Sequence, residues 1–284
     1  MKISKFLATC RLSFPRSPSL RWGGSVRGWI PAFAGMTYVL VLGFSFCAWA
    51  AETKPLLLAT EASYPPFESI NSQGQMVGFD IDILNAVCAH INASCRFVNQ
   101  PWDSLIPGLE LGKFDVIFGA MNITEERQKR VDFTKPYYVN TGTFVAAKSA
   151  HLSLNPNDLK GKTIGVQSAT TYNYYAQARY GNTARVNTYP SIQDAFLDLQ
   201  AGRVDLVFGD TPIMLQWLHS GVNADSYTAV GQPITDAKFF GAGDGFAVKK
   251  GNTDLLHQLD QGLNAIKADG AYKKIQLKYF GSAQ

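Results

Sequence analysis

The chain has 284 residues, 46% hydrophobic and 17% charged, too apolar for a disordered segment and too mixed for a multi-span membrane protein. Its length suits two lobes or one large α/β domain, and 25 Gly with 13 Pro exclude a collagen-like or low-complexity sequence. The formal charge of +4 comes from six bases and no acid in residues 1–50; the remainder holds 20 bases against 22 acids, so nothing points to a nucleic-acid partner.

Lys2, Lys5, Arg11, Arg16, Arg21 and Arg27 precede an almost unbroken apolar stretch, Tyr38–Ala51, closed by Ala48-Trp49-Ala50. Basic residues, a short apolar run and small residues at the −3 and −1 positions read as a signal peptide over residues 1–50, cleaved after Ala50. The run falls short of the roughly 20 residues that cross a bilayer. The alternatives are a buried first strand or helix, and a start at Met36, which would remove an unusually long leader. Lipidation of Cys47 is disfavoured by the bulk of Phe46. Export implies a periplasmic mature chain.

Cys10 and Cys47 fall in the leader, leaving Cys88 and Cys95. A pair this close in an oxidising compartment reads as one disulfide, closing a short loop worth roughly 2–3 kcal/mol, with two buried thiols as the alternative. His90, His151, His219 and His257 show no ligand spacing with one another or with the cysteines, so no metal site is expected.

Along the mature chain, Pro55–Thr60 reads as a buried strand running into the turn-rich Glu61-Ala-Ser-Tyr-Pro-Pro-Phe67. A helix over Gly78–Ile91 carries Phe79, Ile83, Val87 and Ile91 on one stripe, with Asp80 and Asp82 in its first turn, where the helix dipole favours acids. Arg96–Asn99 is a short strand. Asp103–Leu111 is a helix stopped by Gly112, and Asp115–Gly119 the strand after it. Such alternation predicts α/β layers with parallel pairing. Leu109–Met121 is echoed by Leu199–Thr211 at an offset of 90 residues: a helix, a glycine (Gly112, Gly202), a base and an Asp, then an apolar strand ending in glycine (Gly119, Gly209). In the second copy Ser191 is the expected N-cap. Either the echo is fortuitous or the chain holds two similarly wound lobes. Ligands of open α/β sheets bind beyond the carboxyl ends of strands, so residues 119–127 and 210–212 become candidate site segments.

No Gly-x-Ser-x-Gly, His-Glu-x-x-His, Walker-type loop or Cys-x-x-Cys occurs, and no nucleophile–base pair is nominated by spacing. Gly241-Ala-Gly-Asp-Gly245 neither follows a clear strand nor opens a helix, so it reads as a turn or hinge-side segment. The candidate segments suit a small zwitterion instead. Gly119–Arg127 leaves a strand and opens a helix capped by Asn122 or Thr124, and Arg127 offers a bidentate fork for a carboxylate. Ile164–Thr171 is a second strand–turn–helix rich in donors. Asp210 follows the other strand and could accept from an ammonium. Tyr64, Phe67 and Trp102 lie in or beside turns, placed to stack on a side chain.

Ser63–Ser69, Gly78–Asp82, Asp103–Pro107, Asn122–Gln128, Val131–Tyr138, Gly202–Asp205 and Ala268–Tyr272 resemble the polar amino-acid-binding proteins of ABC importers, above all the arginine and lysine/arginine/ornithine binders. The resemblance covers residues 53–282. It implies an α/β, type II periplasmic binding protein fold, with two Rossmann-like lobes joined by two crossover strands. Lobe 1 would comprise 51–142 and 239–284, lobe 2 143–238, with crossings near Val139–Ala147 and Phe239–Val248. By the same resemblance Arg127 would hold an α-carboxylate with Thr170, Thr171 and the 168–171 turn. Asp210 would hold the α-ammonium, with Gly119, Ala120 and Asn122 nearby. Glu61 would meet a side-chain cation, Tyr64 and Trp102 would sandwich the side chain, and Gln167 would line the second-lobe wall. The family's short disulfide falls on Cys88 and Cys95. Gly119-Ala120 departs from a serine pair of some relatives, and Asn122 from a Ser or Asp.

These residues favour a basic L-amino acid, because Glu61 beside two aromatics suits a planar cation, arginine above lysine or ornithine. The implied partner is an inner-membrane ABC permease, and the implied protein is a monomer without cofactor or catalysis. The rivals are a glutamine, histidine or other polar amino-acid binder, an exported cyclohexadienyl dehydratase-like enzyme on the same fold, and a receptor's sensor domain.

Overall fold

The computed structural model describes residues 54–281; the signal peptide expected over 1–50, with Met36 and Cys47, lies outside them. Two five-stranded sheets organise the chain. The first is ordered Cys95–Asn99, Leu56–Thr60, Val116–Ile117, Ala247–Lys249, Val131–Phe133; the second is ordered Arg185–Tyr189, Thr163–Gln167, Leu206–Asp210, Gly142–Ala147, Tyr227–Ile234. In each, three parallel strands are followed by an antiparallel fourth. The two orders match strand for strand, and the echoed segments occupy the same third position. Each antiparallel fourth strand is the one reached from the other sheet: Gly142–Ala147 after residues 134–141, and Ala247–Lys249 after residues 235–246. The two lobes are therefore tied through interior strands of their sheets.

Helix Phe79–His90, with Phe79, Ile83 and Val87 buried, packs on helix Thr253–Ala268, whose buried Leu255, Leu259, Leu263 and Ile266 recur three and four apart. Full burial of each such side chain contributes roughly 1.5–3 kcal/mol. Phe67, Phe79, Tyr138 and Phe280 meet in tilted or edge-on contacts in the first lobe, and Phe144 stacks on Phe208 at 4.0 Å in the second. A disulfide joins Cys88 to Cys95, from the end of the first helix to the start of the next strand.

Several elements differ from the local reading. The expected helix over 103–111 begins as a tight 3-10 turn, Trp102–Ser104, and continues as Leu105–Glu110. The strand expected over Asp115–Gly119 keeps only Val116–Ile117. Gly119 (φ 107°) and Ala120 (φ 46°) leave extended geometry, and both give their N–H groups to Asp80 Oδ2 at 3.1 Å. Asp80 thus does more than complement a helix dipole: it is 0% exposed and holds the turn that follows strand Val116–Ile117. Asp82 stays near the surface, accepting from Lys278 and Tyr279.

Candidate functional site

The parallel strands of both sheets end on a common slot, where Glu61 follows Thr60, Gly119 follows Phe118, and Gln167 and Asp210 close their own strands. All eleven expected residues line it: Glu61, Tyr64, Trp102, Gly119, Ala120, Asn122, Arg127, Gln167, Thr170, Thr171 and Asp210. Side chains from both lobes fill most of it, leaving a cavity of about 20 Å³. Phe67, the third turn aromatic, is buried in the first-lobe core instead.

From the first lobe, a small antiparallel sheet pairs Tyr64 with Glu68 and directs both toward the slot. Arg127 sits in the four-residue helix Glu125–Gln128, capped by Thr124 rather than Asn122, Thr124 Oγ1 accepting from Arg127 N at 3.3 Å. The Arg127 guanidinium is buried, 5.4 Å from the Trp102 ring centroid. Its Nη1 donates to Asn122 O (3.0 Å) and its Nη2 to Ala169 O (3.4 Å). Trp102 Nε1 donates to the same Ala169 carbonyl at 3.2 Å.

From the second lobe, Thr170 caps helix Thr171–Tyr180, and Thr171 Oγ1 donates to Asn122 Oδ1 at 2.7 Å. Gln167 Nε2 donates to Glu61 Oε2 at 2.5 Å, while Ser63 Oγ supports Glu61 Oε1. Asp210 accepts from two tyrosine hydroxyls, Tyr64 of the first lobe and Tyr172 of the second. Hydrogen bonds thus cross between the lobes around the whole slot. Ala120 and Ala169 both have positive φ, one on each side, so each lobe presents a backbone turn in a sparsely populated conformation.

The electrostatics are lopsided. Arg127 is the one buried cation among the described residues, against the buried carboxyls of Glu68, Asp80, Asp210 and Asp244. Burial raises Asp210 to about 7 despite the hydrogen bonds from Tyr172 and Tyr64 and the nearby Arg127 charge. Burial likewise raises Asp80 to about 7, against the pull of Tyr137 and the two backbone donors. Glu68 is pushed well above the carboxylate range by burial and then by Asp80, and Asp244 by burial and then by Asp210. Glu61 is raised by burial, partly offset by Ser63 and Gln167. Of these groups Glu61, Glu68 and Asp210 line the slot with Arg127, an excess of acidic groups that favours a cationic occupant.

Sequence reasoning did not single out Glu68, Tyr172 or Asp244. Glu68 lies within the Ser63–Ser69 motif and Tyr172 directly follows Thr171, but no local signal tells that they face the slot. Asp244 sits in the glycine-rich segment read as a turn, yet it is 0% exposed.

A model of the bacterial extracellular solute-binding proteins, family 3, matches residues 56–282. The chain is 43% identical over 241 residues, covering 85% of it and 96% of the relative, to an ABC transporter arginine-binding protein of Escherichia coli. It is 41% identical over 231 residues, 81% of it and 89% of the relative, to an L-arginine-binding protein of Pseudomonas aeruginosa. A Salmonella typhimurium periplasmic binding protein, described for its high arginine specificity, superposes with a TM-score of 0.75 at 36% identity, over 80% of this chain and 99% of that one.

Proposed function

We propose a function from one premise: the chain belongs to the bacterial extracellular solute-binding proteins, family 3. It captures a basic L-amino acid, arginine first, in the periplasm, and delivers it as a monomer to an inner-membrane ABC permease. Binding closes lobe 1 (51–142 and 239–284) on lobe 2 (143–238), by the ligand's greater affinity for the closed arrangement. Arg127, with Thr170 and Thr171, takes the α-carboxylate. Asp210, with Gly119, Ala120 and Asn122, takes the α-ammonium. Tyr64 and Trp102 flank the side chain, while Glu61 and Gln167 receive its guanidinium.

One observation carries this reading: Arg127 and Asp210 line one slot from opposite lobes, with Glu61 as a further acid in its wall. A carboxylate and an ammonium are thereby matched at once, and the second acid favours a ligand with an extra positive charge. A buried ligand charge left unpaired costs several kcal/mol, so neutral side chains are disfavoured beside Glu61. Calorimetry with arginine, lysine, ornithine, histidine and glutamine tests this. Arginine is expected to bind tightest, and folded Arg127→Ala and Asp210→Ala proteins to lose about 2–5 kcal/mol of binding. Undiminished affinity in both variants would sink the assignment, and turnover of prephenate or arogenate would replace it with an enzyme.

A further inference from the structure

Asp244 lies in the segment 241–245, where the chain returns from the second lobe to the first. Its backbone N–H donates to Tyr138 O (2.8 Å), and its carbonyl accepts from Tyr137 N (2.9 Å). Gly243 O accepts from Ile123 N at 2.7 Å, and Gly245 N donates to Met121 O at 3.1 Å. The return crossing is thus laced both to the outward crossing and to the stretch holding Asn122. Gly243 has φ 115°, and a Cβ there would lie 2.5 Å from Tyr138 O, so the lacing admits no side chain at that position.

The carboxylate of Asp244 spans two amides. Oδ1 accepts from Asn122 Nδ2 at 2.9 Å and Oδ2 from Asn140 Nδ2 at 2.5 Å. In both contacts the carboxyl oxygen is the acceptor, so Asp244 engages the NH2 end of each amide. With Nδ2 committed to Asp244, Asn122 turns Oδ1 the other way, where it accepts from Thr171 Oγ1 of the second lobe. A flipped Asn122 would set its oxygen against Asp244 Oδ1 and its NH2 toward the slot.

We infer that Asp244 is a positioning residue for amino-acid capture: it fixes which end of the Asn122 amide faces the slot, and so presents an acceptor to Thr171 and to the ligand ammonium. The inference rests on reading the slot as an amino-acid site. It ties the return crossing to the ligand through a single side chain, and it explains why Asn122, departing from the Ser or Asp of relatives, is oriented without capping the helix that follows.

A double-mutant cycle tests it, with L-arginine affinity read by calorimetry and the unfolding midpoint measured separately. Asp244→Ala should weaken binding roughly ten-fold or more in the unaltered protein and less than about two-fold in the Asn122→Ala background, since groups acting through one another couple. Asp244→Asn should stay within about three-fold, because its amide oxygen can still accept from Asn122 while its NH2 reaches Asn140 Oδ1, which has no partner. Should Asp244→Ala not fold, an exchange decides: Asn122→Asp sets two carboxyls face to face and should lose binding, and Asn122→Asp with Asp244→Asn should recover most of it. Equal losses in both backgrounds, or no recovery on exchange, would overturn the positioning role while leaving the amino-acid site standing. Failure of the unaltered protein to bind arginine would overturn both.

Discussion

The Tyr64 hydroxyl donates across the lobes to Asp210 Oδ2, joining residues 146 apart in the chain. Tyr172 occupies the other carboxylate oxygen. Both tyrosines favour the ionised form, yet burial still lifts Asp210 to about 7. An α-ammonium needs the carboxylate, so acidification should weaken capture. Below pH 7 the apparent Kd for arginine should rise by up to about ten-fold per pH unit, the limit for one proton displaced on binding. Calorimetry at half-unit steps between pH 5 and 8 measures this. Asp210→Asn should bind weakly with a flattened profile, and a flat profile in the unaltered protein would contradict the role given to Asp210.

Glu61 tests the charge preference. Its carboxyl is engaged by Ser63 and Gln167 and raised by burial. Glu61→Gln keeps the shape but removes the charge, and should cost arginine roughly ten- to a hundred-fold while changing glutamine binding by less than about three-fold, as expected when a charge-assisted hydrogen bond is lost. Equal changes for both ligands, read in parallel titrations, would remove Glu61 from the specificity argument.

Asp80 governs a stability effect of definite sign. Its carboxyl is raised from an ordinary 3.8 to about 7 in the folded chain. Between these values the folded state binds more protons than the unfolded one, so this group's stabilisation is fully present below pH 4 and lost as pH rises through 7. Ligand-free protein should therefore lose stability from pH 5 to pH 8, Asp80 contributing of order 1 kcal/mol per pH unit at most and Asp210, also raised to about 7, a slope of the same sign. Asp80→Asn keeps an oxygen for Gly119, Ala120 and Tyr137 and should flatten the slope. Urea midpoints across this range check it.

Gly119 should not tolerate the serine found in some relatives. A Cβ there would lie 2.4 Å from Thr60 Oγ1 and 2.8 Å from Glu68 Oε1, at a φ of 107°. Gly119→Ser should destabilise the fold by about 1–3 kcal/mol, the cost of holding a side chain in such a conformation. A thermal melt matching the unaltered protein would show that the Thr60–Glu68 wall can yield.

Asp210 was legible because it ends the apolar run Leu206–Asp210, whereas Glu61 and Gln167, though they also stand where strands Leu56–Thr60 and Thr163–Gln167 end, entered through the resemblance to amino-acid binders. A strand that ends in a polar residue presents it beyond the strand's carboxyl end, and that is a local property. Between Asn122 and Thr124 as helix cap, local pattern could not choose. Asp244, 122 residues away, takes the Asn122 amide, and Thr124 is left to cap. Tyr172 went unnoticed because its partner, Asp210, lies 38 residues on, across the second lobe.

The amino-acid order by itself determined the alternation of strand and helix, the repeated winding and the polar residues at the strand ends. Each depends on side-chain period and turn preference acting over a few neighbours. Only the folded chain decided that two tyrosines would share Asp210, that Asp80 would hold the Gly119–Ala120 turn, and that four carboxyls and one arginine would be the buried charges among the described residues. Those outcomes come from excluding water between distant segments, which sets the strength of every charge inside and leaves no trace in any short stretch of sequence.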